Sequence, residues 1–441
     1  MNTEAYKKRI EWYQRDRFGM FIHWGLYAIP ARGEWVRSVE RISVDDYRPF
    51  FNQFNPDCYD PREWARLAKA AGMKYAVLTA KHHDGFCLFD SKLTDYKATN
   101  TMAGRDLVRA FIDAFRAEGI KVGLYYSIID WHHPDFPHYG DRQHPLRDSL
   151  AEKEKEASRD FDRYLAYMHG QVRELCENYG QIDLFWFDFS YDGMRGEKWR
   201  ATELVRMIRS YWPDVLIDNR LEVSGEGFGS LVSGNPVEYS GDFVSPEQII
   251  PPEGILDING DPVAWEACIT LNNNWGYAEY DHDWKSAATV IRKLVECVSK
   301  GGNMLLNVGP DARGRIPDAS VRILTEVGEW MQKNGESIYD CGPSNIPKPA
   351  WGYITENAHS VYLHVCEQTV GPVPMKGNAD RYGIIQLLSS GAEIRSEPTW
   401  TTKNYPGYMF FPLGPVPHHT YALPDERDTV IRVAKKPRIG P

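Results

Sequence analysis

Asp188 closes the run Ile182, Leu184, Phe185, Trp186, Phe187, which puts a carboxylate at the tip of an apolar strand. A charge in that position is costly unless it is paired or used. It could cap whatever follows, or act as a nucleophile beside a second carboxyl group. Candidates for the second group are Glu34 in GEW, Asp242 and Glu247 in GDFVSPEQ, and Glu266 in AWEA. Cleaving a glycosidic bond with retained configuration needs two carboxyls about 5–5.5 Å apart. One attacks the anomeric carbon and the other protonates the leaving oxygen.

The histidines admit two readings. His82 and His83, followed by Asp84, could join His23 and Asp188 around a metal ion. Adjacent residues on extended chain point opposite ways, however, and no HExxH or Cys-rich pattern accompanies them. As neutral imidazoles they would offer directional hydrogen bonds to sugar hydroxyls, with aromatic rings covering the apolar face of the sugar. Arg220, after another strand, is either a structural ion-pair partner or the cation that keeps a nearby carboxylate ionised. His132-His133 and His418-His419 read as loop surface.

These groups need a frame, and the pattern of the chain supplies one. FGMFIHWG (18–25), KYAVLTA (74–80), KVGLYYS (121–127), QIDLFWFD (181–188), DVLIDNR (214–220) and GNMLLNV (302–308) read as buried strands. Between them lie helical stripes: 60–72 with Trp64, Leu67, Ala68 and Ala71 on one face, then 105–119, about 152–179, 197–212 and 284–298. Repeated β-then-α units predict a parallel sheet with helical crossovers. Length and the lack of a glycine fingerprint after the first strand favour a (β/α)8-like barrel over an open sheet. His23, the Lys81–Asp84 cluster, Ser127 with Asp130 and Trp131, Asp188, and Asn219-Arg220 all fall at strand C-termini. In a barrel those ends share one face, the face where such folds do chemistry. Near 341–350 the text CGPSNIPKPA reads as a linker. Short alternating runs such as Ser360–Cys366 and Thr429–Ala434 follow it. The expected units are therefore a catalytic domain over 1–340 and a small antiparallel β-sandwich domain over 341–441.

Composition narrows the partners. The chain has 441 residues, with 51 Lys plus Arg against 61 Asp plus Glu, a net charge of −10 that argues against nucleic acid. No apolar run is long enough to span a membrane. Seven cysteines are too few, and odd in number, for a disulfide scaffold. The N-terminal text is charged throughout, without the apolar core of a signal peptide, which points to the cytoplasm. Aromatic residues make up 13% of the chain at a mean hydropathy of −0.49, a combination suited to carbohydrate chemistry.

FGMFIHWG, GEW, KHHDGF (81–86), KVGLYYS, the W-x-D at 186–188, NNNWGY (272–277) and GGNMLLNVGPDARGRIP (301–317) occur in order over roughly 18–335. In these motifs the chain resembles glycoside hydrolase family 29, the α-L-fucosidases. The resemblance implies a (β/α)8-like catalytic domain followed by a β-sandwich, and double displacement with retention. It also implies no metal or other cofactor, fucosylated oligosaccharides or glycoconjugates as substrates, and possible assembly as a homo-oligomer. By motif, Asp188 corresponds to the nucleophile. His23, Glu34, Trp35, His82, His83, Tyr126, Trp186 and Arg220 correspond to the lining of the fucose pocket, with Trp275 on its methyl side. Glu247 is the expected general acid/base and Glu266 the alternative. The acid must start protonated, which calls for a partly apolar loop around it.

Overall fold

The computed structural model describes residues 4–225 and 227–437. Glu226 and the outermost residues of the two expected units lie outside the described residues. Seven parallel strands carry the first unit: β1 (Phe18–Ile22), β2 (Tyr75–Lys81), β3 (Lys121–Ser127), β4 (Leu184–Asp188), β5 (Leu216–Ile217), β6 (Glu266–Thr270) and β7 (Asn303–Val308). They are hydrogen-bonded in the order β5-β4-β3-β2-β1-β7-β6. The gap between β5 and β6 is filled by extended chain. Parallel bridges pair Asp218 with Phe243, Val244 with Trp265 and Glu247 with Cys268. Pro246 lacks an N–H, so this eighth stave cannot form a regular ladder. Its carbonyl still accepts from the Cys268 N–H at 3.1 Å. The sheet thus closes on itself, which removes the exposed edges an open sheet would leave.

Each strand alternates between two apolar layers. Phe21, Tyr75, Val77, Tyr125, Leu184, Trp186, Cys268 and Leu305 fill the barrel interior. Residues of opposite parity, such as Leu78, Tyr126, Phe185 and Phe187, face the surrounding helices. The helices over 61–70, 107–117, 201–211 and 287–299 match the expected stripes, trimmed at their ends. Asp60, Asp106 and Ser286 cap three of them by accepting backbone N–H groups. The expected long helix over 152–179 is broken into Leu150–Lys155 and Phe161–Asn178, with Asp160 capping the second. The strand expected over 214–220 is only two residues long, because Asn219–Leu221 turn into a short 3₁₀ helix. An N-terminal helix, Glu4–Asp16, closes the bottom of the barrel with Ile10 and Tyr13.

The chain leaves the barrel through the helix Asp318–Asn334 and enters an antiparallel β unit. Its strands are β8 (Gly342–Pro343), β9 (Gly352–Glu356), β10 (Ser360–Val365), β11 (Val373–Lys376), β12 (Tyr382–Leu387), β13 (Tyr408–Phe411) and β14 (Thr429–Lys435). A five-stranded sheet, β12-β14-β10-β9-β8, packs against the pair β11-β13 over a core that includes Trp351, Leu363, Phe411 and Ile431. Part of the stretch expected to be a linker is therefore strand. The β unit is docked on the barrel by hydrogen bonds from Trp330 Nε1 to the Asp428 carbonyl and from Arg292 to the Cys366, Glu426 and Arg427 carbonyls. Among the described residues no helix is long and apolar enough to cross a membrane.

Candidate active site

A cavity of about 230 Å³ opens at the C-terminal ends of the barrel strands. That is smaller than the roughly 300–1,000 Å³ of pockets that hold drug-sized ligands, and it suits a single sugar ring. A larger groove of about 1470 Å³ lies on the β unit, bordered by Lys376, Arg381 and Lys436. None of the strand-tip groups that could do chemistry reaches it.

Arg220 organises the barrel pocket. Its Nη1 donates to Asp188 Oδ1 and its Nη2 to Glu247 Oε2, each at 2.9 Å. Nε and Nη2 are anchored on the hydroxyl and carbonyl of Ser245, at 2.9 and 3.1 Å, and the guanidinium lies over the Trp186 ring at 4.7 Å. One fixed cation therefore bonds both carboxylates. Asp188 is buried at the tip of β4 and also accepts from Tyr125 Oη at 2.8 Å. Burial pushes its carboxyl up to about 6. Arg220 opposes that shift and the charge of Glu247 adds to it.

Glu247 does not sit in the apolar surroundings expected for an acid. Its side chain is 42% exposed at the rim and faces Arg220. Glu266, the alternative acid/base, is fully buried one layer deeper in the barrel, beneath Trp186, where Tyr75 Oη donates to it. It has no path to a leaving group, so that alternative is corrected to a buried core carboxyl. Asp242 is likewise excluded from the pocket. It is buried at the foot of the eighth stave, bound by Arg9 and Arg209.

The three histidines converge. His23 Nδ1 pairs with Asn307 Oδ1 at 2.7 Å and His83 Nδ1 with Ser127 Oγ at 2.7 Å. His82 and His83 point into the same cavity, against the expectation that neighbours diverge. The chain turns sharply just after β2: the Gly85 N–H bonds the His82 carbonyl at 3.1 Å, and the two rings lie 4.1 Å apart. Gly85 has φ +80°, and a Cβ there would lie 2.3 Å from Asp130 Oδ1, so only glycine fits this turn. The buried pair Lys81–Asp130, at 2.9 Å, locks it from below. Burial holds His23 down at about 3 and pushes His82 and His83 well below the usual histidine range. All three are neutral, which leaves them as hydrogen-bonding groups for hydroxyls. Among the described residues, no three His, Cys, Asp or Glu side chains form a group that could hold a metal ion.

Glu34 is buried with Oε2 accepting the Gly276 N–H at 2.7 Å, and burial raises it to about 7. Near neutrality it can therefore present either an acceptor or a donor to a hydroxyl. Trp35, Trp186 and Trp275 supply the aromatic wall, with Trp275 5.0 Å from the His23 ring.

Tyr126 is corrected to Tyr125. On β3 the residues of odd number face inward. Tyr125 lies in the cavity, whereas Tyr126 points outward and donates to Gln171 Oε1 in the helix Phe161–Asn178 at 2.7 Å. The missed signal was Ser127, a hydroxyl at the strand end that shares the face of Tyr125. Tyr125→Phe is expected to lower kcat/KM at least tenfold, since a hydrogen bond to a charged group contributes about 1.5–3 kcal/mol. Tyr126→Phe should shift thermal stability more than it shifts kcat/KM. Steady-state kinetics and melting curves on the two variants check this.

Sequence reasoning also missed Phe21, Arg142, Phe189, Ser224, Gly225 and Cys268 on the cavity wall. Phe189 has φ +89°, a conformation that costs a bulky residue about 1–3 kcal/mol and persists only when its surroundings enforce it.

A family model described as "Alpha-L-fucosidase" matches residues 1–336. Human tissue α-L-fucosidase is 30% identical over 358 residues, which is 76% of this chain and 70% of that protein. The α-L-fucosidase of Dictyostelium discoideum is 28% identical over 385 residues, covering 81% of this chain and 77% of that one. Among solved structures, α-L-fucosidase isoenzyme 1 from Paenibacillus thiaminolyticus is 57% identical. It covers 98% of this chain and 100% of its own at a TM-score of 0.93. A family 29 α-L-fucosidase from Bacteroides thetaiotaomicron, trapped as a covalent intermediate with 2-fluoro-fucosyl fluoride, is 29% identical. It covers 99% of this chain and 97% of its own at a TM-score of 0.81.

Proposed function

This chain belongs to the α-L-fucosidase family, and from that we infer the division of labour in the pocket of an exo-acting, retaining α-L-fucosidase. Asp188 is the nucleophile and Glu247 the general acid/base. The observation that carries this reading is the single guanidinium of Arg220 bonded to both carboxylates. In the first step Asp188 attacks the anomeric carbon through an oxocarbenium-like transition state while Glu247 delivers its proton to the departing glycosidic oxygen. In the second, Glu247 takes a proton from water, the water oxygen attacks the same carbon, and the Asp188 ester bond breaks to free α-L-fucose. Arg220 and Tyr125 steady the negative charge that Asp188 regains.

The neutral imidazoles of His23, His82 and His83, with Glu34, read the hydroxyl stereochemistry. Missing such a partner leaves a buried polar group unpaired, which is why hydrogen bonds discriminate more strongly than the aromatic wall does. Trp35, Trp186 and Trp275 pack against the apolar parts of the sugar. Residues 1–340 form the catalytic unit in this reading and 341–441 an accessory β-sandwich.

The test is hydrolysis of an aryl α-L-fucoside followed by NMR. α-L-fucose is expected as the first product, before mutarotation, with activity unchanged after exhaustive chelation. β-L-fucose as the first product would exclude double displacement, and loss of activity on chelation would restore the metal reading of the histidines.

The pH dependence follows from Asp188. The nucleophile must be ionised, and its carboxyl is held at about 6. Protonation as pH falls therefore removes activity, so kcat/KM should decline below about pH 6. A pH–rate profile on the aryl fucoside checks it. An acid limb near pH 4 would contradict the buried environment of Asp188.

A further inference from the structure

Glu266 is a carboxyl group that the two-step mechanism leaves unused. It stands at the start of β6, fully buried in the barrel interior. Tyr75 Oη donates to its Oε2, and Asn303 Nδ2 donates to that hydroxyl at 3.4 Å. The same carboxyl faces two further donors, the indole N–H of Trp186 and the hydroxyl of Tyr13. Glu266 Oε1, Trp186 Nε1 and Tyr13 Oη are all sealed from solvent. None of the three makes a hydrogen bond of full geometry elsewhere among the described residues. An apolar side chain of similar volume would fill this layer without the cost of stripping water from a carboxyl group. What it could not do is accept from the Trp186 N–H.

Trp186 carries that link up into the pocket. Its ring stacks with Tyr125 at 5.7 Å and carries the Arg220 guanidinium at 4.7 Å. The guanidinium is favoured there only while the indole keeps its face toward the cation. Turning the ring would leave the indole N–H without an acceptor in the core, which is costly. Arg220 in turn bonds Asp188 and Glu247.

We propose that Glu266 is a positioning residue: by accepting from the Trp186 indole N–H it fixes the ring on which Arg220 rests, and through Arg220 it sets the placement of Asp188 and Glu247. The inference rests on the fucosidase reading and deepens it by adding a residue that never touches the sugar.

The experiment compares Glu266→Gln, Trp186→Phe, the double variant, and Val77→Ala as a control in the same core cluster. Gln keeps the shape of Glu266 but turns one oxygen into a donor, and Phe keeps a ring under Arg220 without an N–H. Each of these two changes should lower kcat/KM on an aryl α-L-fucoside about tenfold, the scale of one lost hydrogen bond to a charged group. The acid limb should also move. Asp188 faces Arg220, Glu247, Tyr125, His83 and Cys268, with Asp218 beside Arg220, and among these Arg220 is the cation that opposes its protonation. A less well placed Arg220 therefore raises the limb from about pH 6 by about one unit. Added to Trp186→Phe, Glu266→Gln should cost less than about twofold more, because the link is already cut. Val77→Ala should lower the melting temperature and leave the acid limb in place. A Glu266→Gln variant that melts earlier with an unmoved acid limb, or losses that multiply in the double variant, would overturn the proposal. If Glu266→Gln does not fold, Trp186→Phe decides alone, since it leaves the carboxyl in place: an unmoved acid limb there overturns the proposal too. A wild type inactive on the aryl fucoside would instead sink the fucosidase reading, and this inference with it.

Discussion

Asp188→Ala is expected to lower kcat on an aryl α-L-fucoside by about 10⁴-fold or more, as for loss of other covalent nucleophiles. The size follows from what the residue does. Without it no fucosyl-enzyme ester forms, and Arg220 loses one of the two anions it spans. The cavity left by the carboxylate opens onto the anomeric carbon, so sodium azide should restore part of the rate. It enters from the face Asp188 occupied, and the product should be β-L-fucosyl azide, inverted relative to the substrate. NMR of that product is the decisive measurement. Near-wild-type turnover in Asp188→Ala, or α-L-fucosyl azide as the product, would remove Asp188 from the nucleophile role.

Glu247→Ala should behave differently in kind. General acid catalysis typically contributes about 10²–10⁴-fold, and the loss should grow as the leaving group worsens. Aryl fucosides with acidic phenols should be hydrolysed nearly as fast in their first step, whereas fucosylated oligosaccharides should lose the full factor. The second step then limits, because water is no longer deprotonated. Azide needs no base, so it should rescue that step and give α-L-fucosyl azide with retained configuration. Stopped-flow kinetics should show a burst of phenol followed by slow turnover. Glu266→Ala should show neither the leaving-group dependence nor the rescue, since that carboxyl is sealed beneath Trp186. If it shows both, the acid/base role moves to Glu266. The opposite azide products of the Asp188 and Glu247 variants make the two assignments independent of one another.

The active-site face was legible because its signal is local. Six strands showed their apolar runs, and polar residues clustered at their C-terminal ends. A parallel barrel leaves those ends only one place to go. The closing stave was not legible. Phe243–Glu247 carries a proline and too few ladder bonds to read as a strand, and it earns its place only through the neighbours on either side. β6 was also missed: EACIT is short, and its first residue is a carboxylate that ordinarily marks a surface.

The choice between Tyr125 and Tyr126 shows where reading by pattern stops. Strands of a parallel barrel are buried on both faces, so hydrophobicity does not tell inward from outward. Shifting by one residue exchanges the two faces completely. Glu247 and Glu266 posed the same difficulty along the strand direction instead of across it. Two residues of rise, roughly 6.6 Å, separate a rim carboxylate from one locked in the core.

The sequence by itself determined the succession of β and α units, the separate β region near the C-terminus, and a carboxylate at the tip of β4. Each depends on periodicity and burial within a short stretch of chain. Only the tertiary structure decided which tyrosine touches Asp188, which glutamate shares Arg220 with it, and why His82 and His83 face the same way. Those outcomes depend on distances between residues far apart in the chain, and on backbone conformations such as that of Phe189, which the packing around them imposes.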